Sequence, residues 1–156
     1  MRLEILPRPT LILSAASSEL DSDTPDGAHR NVDVGPNPTL LIVEDEGLVA
    51  MNMESTLADS GFRVLAVVDT ETEAVEAALR LKPDVILMDI TLRVGNGIAA
   101  AKTIQRTLNV HIVFVSGNSD PTTLAAAQQT KFSGFIRKPF VSDLAGLVRE
   151  AITPKN

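Results

Sequence analysis

The sequence predicts an α/β fold: a doubly wound, five-stranded parallel sheet with helices on both faces. Three observations carry this expectation. Short, wholly apolar runs recur along the chain and read as strands buried on both sides. Segments with helical spacing alternate strictly with them, giving five β–α pairs. The connections are short, two to about six residues, as compact α/β units require.

Each element has its own signature. Leu40-Leu41-Ile42-Val43 is the first strand. Residues 48–57 carry apolar side chains at helical spacing, and Gly61 after Ser60 is the expected stop. Arg63-Val64-Leu65-Ala66-Val67-Val68 is the second strand. Thr70 with Glu73 forms a capping box that opens a helix running to about Leu81. Val85-Ile86-Leu87-Met88 is the third strand, residues 98–108 a third helix, and Ile112-Val113-Phe114-Val115 the fourth strand. A shorter helix starts near Pro121, a residue suited to the first helical position. Gly134-Phe135-Ile136-Arg137 is the fifth strand. Ser142 is expected to cap a last amphipathic helix through Leu144, Leu147, Val148 and Ile152.

Residues 1–38 differ from the rest. Pro7, Pro9, Pro25, Pro36 and Pro38 interrupt regular structure repeatedly, and Ser17-Ser18-Glu19-Leu20-Asp21-Ser22-Asp23 is polar. They are expected to be a largely disordered N-terminal extension, with the folded domain over residues 39–153. No output domain is expected after the fifth helix.

Composition narrows the function. A net charge of −6 and the absence of any lysine- or arginine-rich stripe argue against nucleic acid as a partner. Five phenylalanines are the only aromatic residues, too few for a base-stacking platform. No apolar run approaches the ~20 residues needed to cross a bilayer, so no membrane partner is expected. Without cysteine, thiolate metal sites and cysteine nucleophiles drop out.

In an open parallel sheet, ligands bind beyond the C-terminal strand ends. The first strand ends there in Glu44-Asp45, the third in Asp89, the fourth in Ser116 and the fifth in Lys138. Asp84 and His111 begin strands at the opposite edge, and His29 lies in the extension, so none of these is a ligand candidate. Three converging carboxylates repel one another and need a cation. With oxygen ligands and no His or Cys nearby, Mg²⁺ is the expected ion. A lysine facing that metal completes a pocket suited to a phosphoryl group, whose transfer depends on positioning and charge neutralisation. Asp89, ending the central strand, is best placed as a nucleophile that becomes an acyl phosphate. Gly95 and Gly97 read as turn residues, because the spacing of a nucleotide-binding loop is absent.

Four segments then gain meaning together: Thr39-Leu40-Leu41-Ile42-Val43-Glu44-Asp45-Glu46, Asp84-Val85-Ile86-Leu87-Met88-Asp89-Ile90-Thr91-Leu92, Val113-Phe114-Val115-Ser116-Gly117, and Gly134-Phe135-Ile136-Arg137-Lys138-Pro139-Phe140. Their order, with intervals of 44, 27 and 22 residues between Asp45, Asp89, Ser116 and Lys138, resembles the receiver domain of two-component response regulators. The resemblance covers residues 39–153 and implies a flavodoxin-like strand order of 2-1-3-4-5. It implies that Glu44, Asp45, Asp89 and the backbone carbonyl of Thr91 hold Mg²⁺ (or Mn²⁺). Asp89 would accept a phosphoryl group from a sensor histidine kinase or a histidine phosphotransfer protein. Lys138 would contact a phosphoryl oxygen, and the bond to Pro139 is often cis in this family. Ser116 would swing toward the phosphoryl group, with Phe135 as the switch aromatic that follows it inward. Thr91 and Asn118 occupy variable positions that tune dephosphorylation. The resemblance further implies a cytoplasmic, stand-alone switch that is not an enzyme in its own right. It would signal to a downstream protein target through the fourth helix, fifth strand and fifth helix, and phosphorylation-driven homodimerisation is an open alternative.

The sequence also departs from that pattern. After Leu92 the family often has proline, whereas here the loop reads Arg93-Val94-Gly95-Asn96-Gly97. Phe114-Val115-Ser116-Gly117 is similar to a variant of stand-alone receivers that pair with one group of alphaproteobacterial kinases. Phe135 lacks the hydroxyl of a tyrosine. Two other functions compete. A haloacid-dehalogenase-like phosphatase also uses a strand-end aspartate with Mg²⁺, but Thr91 stands where its acid/base carboxylate belongs. A phosphorylation-independent interaction module would lack the acidic pair, the aspartate or the lysine, and all are present.

Overall fold

The computed structural model describes residues 34–118, 120–139 and 143–155. Among the described residues ten elements alternate: β1 (Thr39–Val43), α1 (Gly47–Asp59), β2 (Arg63–Val68), α2 (Glu71–Leu81), β3 (Val85–Asp89), α3 (Gly97–Gln105), β4 (His111–Ser116), α4 (Pro121–Ala127), β5 (Gly134–Arg137) and α5 (Leu144–Ile152). The strands form one sheet in the order β2-β1-β3-β4-β5, and every neighbouring pair is parallel.

Burial on both faces explains the continuous apolar runs. Leu41, Val43, Ile86, Met88, Ile112 and Phe114 point to one side, under α2, α3 and α4. Leu40, Ile42, Val85, Leu87, Val113 and Val115 point to the other, under α1 and α5. Successive side chains of a strand face opposite ways, so a strand between two helical layers has no polar side to offer. β2 lies at the sheet edge and is correspondingly less buried.

Local chemistry sets the helix ends. The Thr70 hydroxyl accepts the Glu73 N–H, as the capping box requires. Asn96 accepts from the N–H groups of Ile98 and Ala99, so α3 opens at Gly97, one residue ahead of its expected start. α3 closes at Gln105 rather than Leu108. Arg106 and Thr107 donate to carbonyls only three residues back, and that tighter turn packs Leu108 against the core. Asp120 accepts from Thr123 N–H ahead of Pro121, and the same bond holds its carboxyl below the usual aspartate range. Gly61 takes φ +96 after α1, a backbone that suits glycine. Within the apolar spacing of α1, Ala50, Met53 and Leu57 form the buried stripe, whereas Leu48 and Met51 are exposed. Ser142 lies outside the described residues, and the residue flanking α5 is Asp143. His29 and most of the 1–38 extension also lie outside them. Among the described residues, no helix is long and apolar enough to cross a membrane.

Candidate functional site

Strand register brings the C-terminal strand ends into line. Val43 pairs with Met88, so the next residues, Glu44 and Asp89, sit level on adjacent strands. Asp89 pairs with Val115 and Ser116 with Arg137, which puts Lys138 one step beyond Ser116. Glu44, Asp45 and Asp89 each present a carboxylate oxygen within 4.8 Å of the others. Glu44 and Asp89 are buried, at 2% and 4% exposure, while Asp45 is half-buried.

Lys138 reaches across this group. Its ammonium lies 2.7 Å from Glu44 Oε1, 3.0 Å from Asp89 Oδ2 and 3.8 Å from Glu46 Oε1. The Lys138–Pro139 bond is cis, and Lys138 N–H donates to the Ser116 carbonyl. Thr91 N–H donates to Asp89 Oδ1, so each oxygen of Asp89 has one donor. Gly97 crosses close above: a β-carbon there would collide with the Asp89 carbonyl oxygen, so only glycine allows α3 to start against the strand end.

The electrostatics follow from burial. Loss of water pushes the Glu44 carboxyl above its usual range; Lys138 pulls it down, Asp89 pushes it up further, and the net direction is up. Burial alone would lower Lys138, but its contacts with Glu44 and Asp89 prevail and hold it above its ordinary value. One cation thus serves two buried carboxylates that repel each other. Glu44 Oε1 is buried with no well-angled hydrogen bond, having only the ammonium beside it. An oxygen-only set of this kind, with an under-bonded carboxylate, fits a hard divalent cation such as Mg²⁺ or Mn²⁺.

Two neighbours of the site were not legible as such in the sequence. Glu46 stands at the site's mouth, and its N–H donates to Glu44 Oε2. Arg93 binds Asp45 twice: its N–H donates to Oδ2 at 2.6 Å and its guanidinium to the Asp45 carbonyl at 2.9 Å. The unusual loop after Leu92 was the only signal, and a contact across 48 residues leaves no local pattern.

Ser116 and Phe135 lie behind the carboxylates. The Ser116 hydroxyl donates to the Asn118 carbonyl and accepts its N–H, both at 3.0 Å. Phe135 is fully buried, with ring centroids 6.4 Å from both Phe114 and Phe132. A groove of about 390 Å³ between α1 and β2 is lined by Glu44 and Asp45 themselves together with Met51, Glu54, Val67 and Asp69.

Comparison with known proteins agrees with this architecture. The model of the response regulator receiver domain family matches residues 40–149. Chemotaxis protein CheY of Bacillus subtilis is 32% identical over 105 residues, 67% of this chain and 88% of CheY. The phyllosphere-induced regulator PhyR of Methylorubrum extorquens is 31% identical over 133 residues, 83% of this chain but 49% of PhyR. A protein-glutamate methylesterase/protein-glutamine glutaminase of Geobacter metallireducens is 42% identical over 88 residues, 56% of this chain and 25% of that protein. The chain therefore spans half or less of these last two relatives. Among solved structures, the signal receiver domain of a modulated diguanylate cyclase from Desulfovibrio desulfuricans G20 superimposes with a TM-score of 0.68 at 34% identity, covering 74% of this chain and 94% of that one. The receiver domain of a sensor histidine kinase from Pseudomonas aeruginosa PAO1 gives a TM-score of 0.67 at 28% identity, covering 74% and 98%. With this fold, this strand order and a family match across most of its length, the chain is a member of the response regulator receiver domain family.

Proposed function

We propose that this protein is a phosphorylation switch in which Asp89 accepts a phosphoryl group from a histidine kinase or a histidine phosphotransfer protein. Glu44, Asp45, Asp89 and the Thr91 carbonyl would hold the Mg²⁺ that accompanies it. The observation that carries this reading is the Lys138 ammonium set between Glu44 and Asp89 at the strand ends. That ammonium is already in position to meet an oxygen arriving on Asp89. The solved Pseudomonas receiver of similar fold is described with a magnesium ion coordinated in its active-site cleft, which supports the choice of ion.

The chemistry is a single displacement. An Asp89 carboxylate oxygen attacks phosphorus, a P–O bond forms, and the P–N bond to the donor imidazole breaks with its electron pair staying on nitrogen. Thr91 N–H fixes the carboxylate plane through Oδ1. Lys138 turns from the carboxylate to the phosphoryl oxygens, where its charge stabilises the product. Mg²⁺ held by Glu44, Asp45 and Asp89 would supply further charge neutralisation at this site. Ser116 must release both of its bonds to Asn118 to reach the phosphoryl group, at roughly 1 kcal/mol each. This exchange of partners biases the loop after β4 and hence the α4–β5 face.

Phe135 fits this scheme as fixed packing rather than as a part that moves. It is already inside the sheet–helix core with Phe114 and Phe132, so the loop after β4 would be the moving part. Thr91 and Asn118 would tune how long the acyl phosphate lasts. The exposed Leu48 and Met51 on α1 flank the acidic edge and offer apolar contact to a protein phosphodonor. Signalling by protein–protein contact in the cytoplasm, with residues 1–38 as an extension separate from the receiver domain, completes the proposal. Intact-mass measurement after incubation with a small-molecule phosphodonor and Mg²⁺ tests it. A phosphoryl adduct blocked by EDTA and missing from Asp89→Asn is expected; an adduct that persists in Asp89→Asn refutes the acceptor assignment.

A further inference from the structure

The second cation at the acidic edge is Arg93, in the loop where the family often has proline. Lys138 is occupied by the two buried carboxylates, Glu44 and Asp89. Asp45 is left to Arg93, whose N–H donates to Oδ2 at 2.6 Å, whose Nη2 donates to the Asp45 carbonyl at 2.9 Å, and whose Nε lies 3.9 Å from Oδ2. The loop after β1 is thereby tied to the loop after β3. The Arg93 side chain is 75% exposed and free to withdraw, whereas its main-chain N–H is part of the loop.

We propose that Arg93 sets the divalent-cation affinity of this site through two opposed contributions, one from its backbone and one from its side chain. This rests on the reading of Glu44, Asp45 and Asp89 as Mg²⁺ ligands. The N–H holds the Asp45 carboxylate in a fixed orientation, so less ordering remains when the ion arrives. Proline has no N–H and cannot hold it. The guanidinium acts in the other direction: it partly neutralises Asp45 and repels an incoming dication. Arg93 is therefore a positioning residue, and its two roles separate by substitution.

The test is calorimetric titration of Mg²⁺ into the full chain, with thermal unfolding of each variant to establish that it folds. Arg93→Ala keeps the N–H and removes the charge, and should bind Mg²⁺ about twofold to fivefold more tightly, the range of an exposed ion pair. Arg93→Lys keeps both and should bind as the parent does. Arg93→Pro removes both, and its affinity should fall below that of Arg93→Ala by on the order of tenfold, as for a lost hydrogen bond to a charged group. The gain in Arg93→Ala should shrink as salt is raised. Equal affinities for the parent and Arg93→Ala at low salt overturn the side-chain role, and this result stands even if Arg93→Pro does not fold. Equal affinities for folded Arg93→Ala and Arg93→Pro overturn the backbone role. A folded parent with no Mg²⁺ binding would refute the metal-site reading itself, whereas a binding parent with unchanged variants would refute only the role of Arg93.

Discussion

The two ends of one sheet are built on opposite principles. At the N-terminal end, Asp84 is met by neutral donors. Thr39 N–H and hydroxyl donate to Oδ2 at 2.9 and 3.0 Å, and the Asp84 N–H returns a bond to the Thr39 hydroxyl. His111 Nδ1 sits 2.7 Å from the Ser133 hydroxyl, closing the same end between β4 and β5. At the C-terminal end, three carboxylates crowd within 4.8 Å of one another, with the half-buried Lys138 ammonium against Glu44 and Asp89 and Arg93 against Asp45. The first arrangement meets the Asp84 carboxylate with neutral donors and ties neighbouring strands together, which stabilises the fold. The second leaves the repulsion only partly compensated, and so favours binding of a further cation. Carboxylates at strand ends are thus not equivalent; the difference lies in whether hydrogen-bond donors or other charges face them.

Removing Lys138 should show the contrast most strongly. Lys138→Met leaves two buried carboxylates without their cation, at a cost of about 2–3 kcal/mol, discounted from a fully buried pair because the site opens to water. Urea unfolding with and without Mg²⁺ would read this, with the metal recovering part of the loss. Asp84→Asn comes next: weakening the Thr39 contacts should cost about 1–2 kcal/mol by the same assay, with metal binding unchanged. Asp89→Asn should do the reverse. Relieving its repulsion with Glu44 should raise metal-free stability by about 1 kcal/mol while weakening Mg²⁺ binding.

The smallest effect should come from pH. Glu44 has a raised carboxyl in the folded protein, so the native state holds its proton more tightly than the unfolded chain. Its contribution to stability is therefore full below the ordinary glutamate range and is lost as pH rises through the raised value. Metal-free stability should fall with rising pH across that window, and Mg²⁺ affinity should climb there because the ion displaces a proton. Glu44→Gln should flatten both curves. Lys138, also raised, keeps its contribution below its ordinary value and loses it only as pH rises through the higher one in the folded state.

What the sequence made legible follows the same division. The bounds of β2, α2 and β5 agree with expectation because apolar runs and the Thr70 cap are local signals. The gathering at the strand ends was also legible, since parallel register brings Glu44, Asp89, Ser116 and Lys138 to one edge automatically. The end of α3 was not, because Leu108 continues the apolar spacing while the chain has already tightened at Arg106. The exposure of Leu48 was not legible for a related reason: helical spacing alone does not say which apolar residues face the core. Arg93 was out of reach, since its contacts depend on how two distant loops meet.

The most direct test compares Asp84→Asn and Asp89→Asn side by side, measuring both the urea midpoint and the phosphoryl adduct by intact mass. The account predicts that Asp84→Asn is less stable yet still phosphorylated, whereas Asp89→Asn is at least as stable as the parent and takes no adduct. Loss of the adduct in a folded Asp84→Asn, or a marked loss of stability in Asp89→Asn, would contradict the division of the sheet into a structural end and a reactive end.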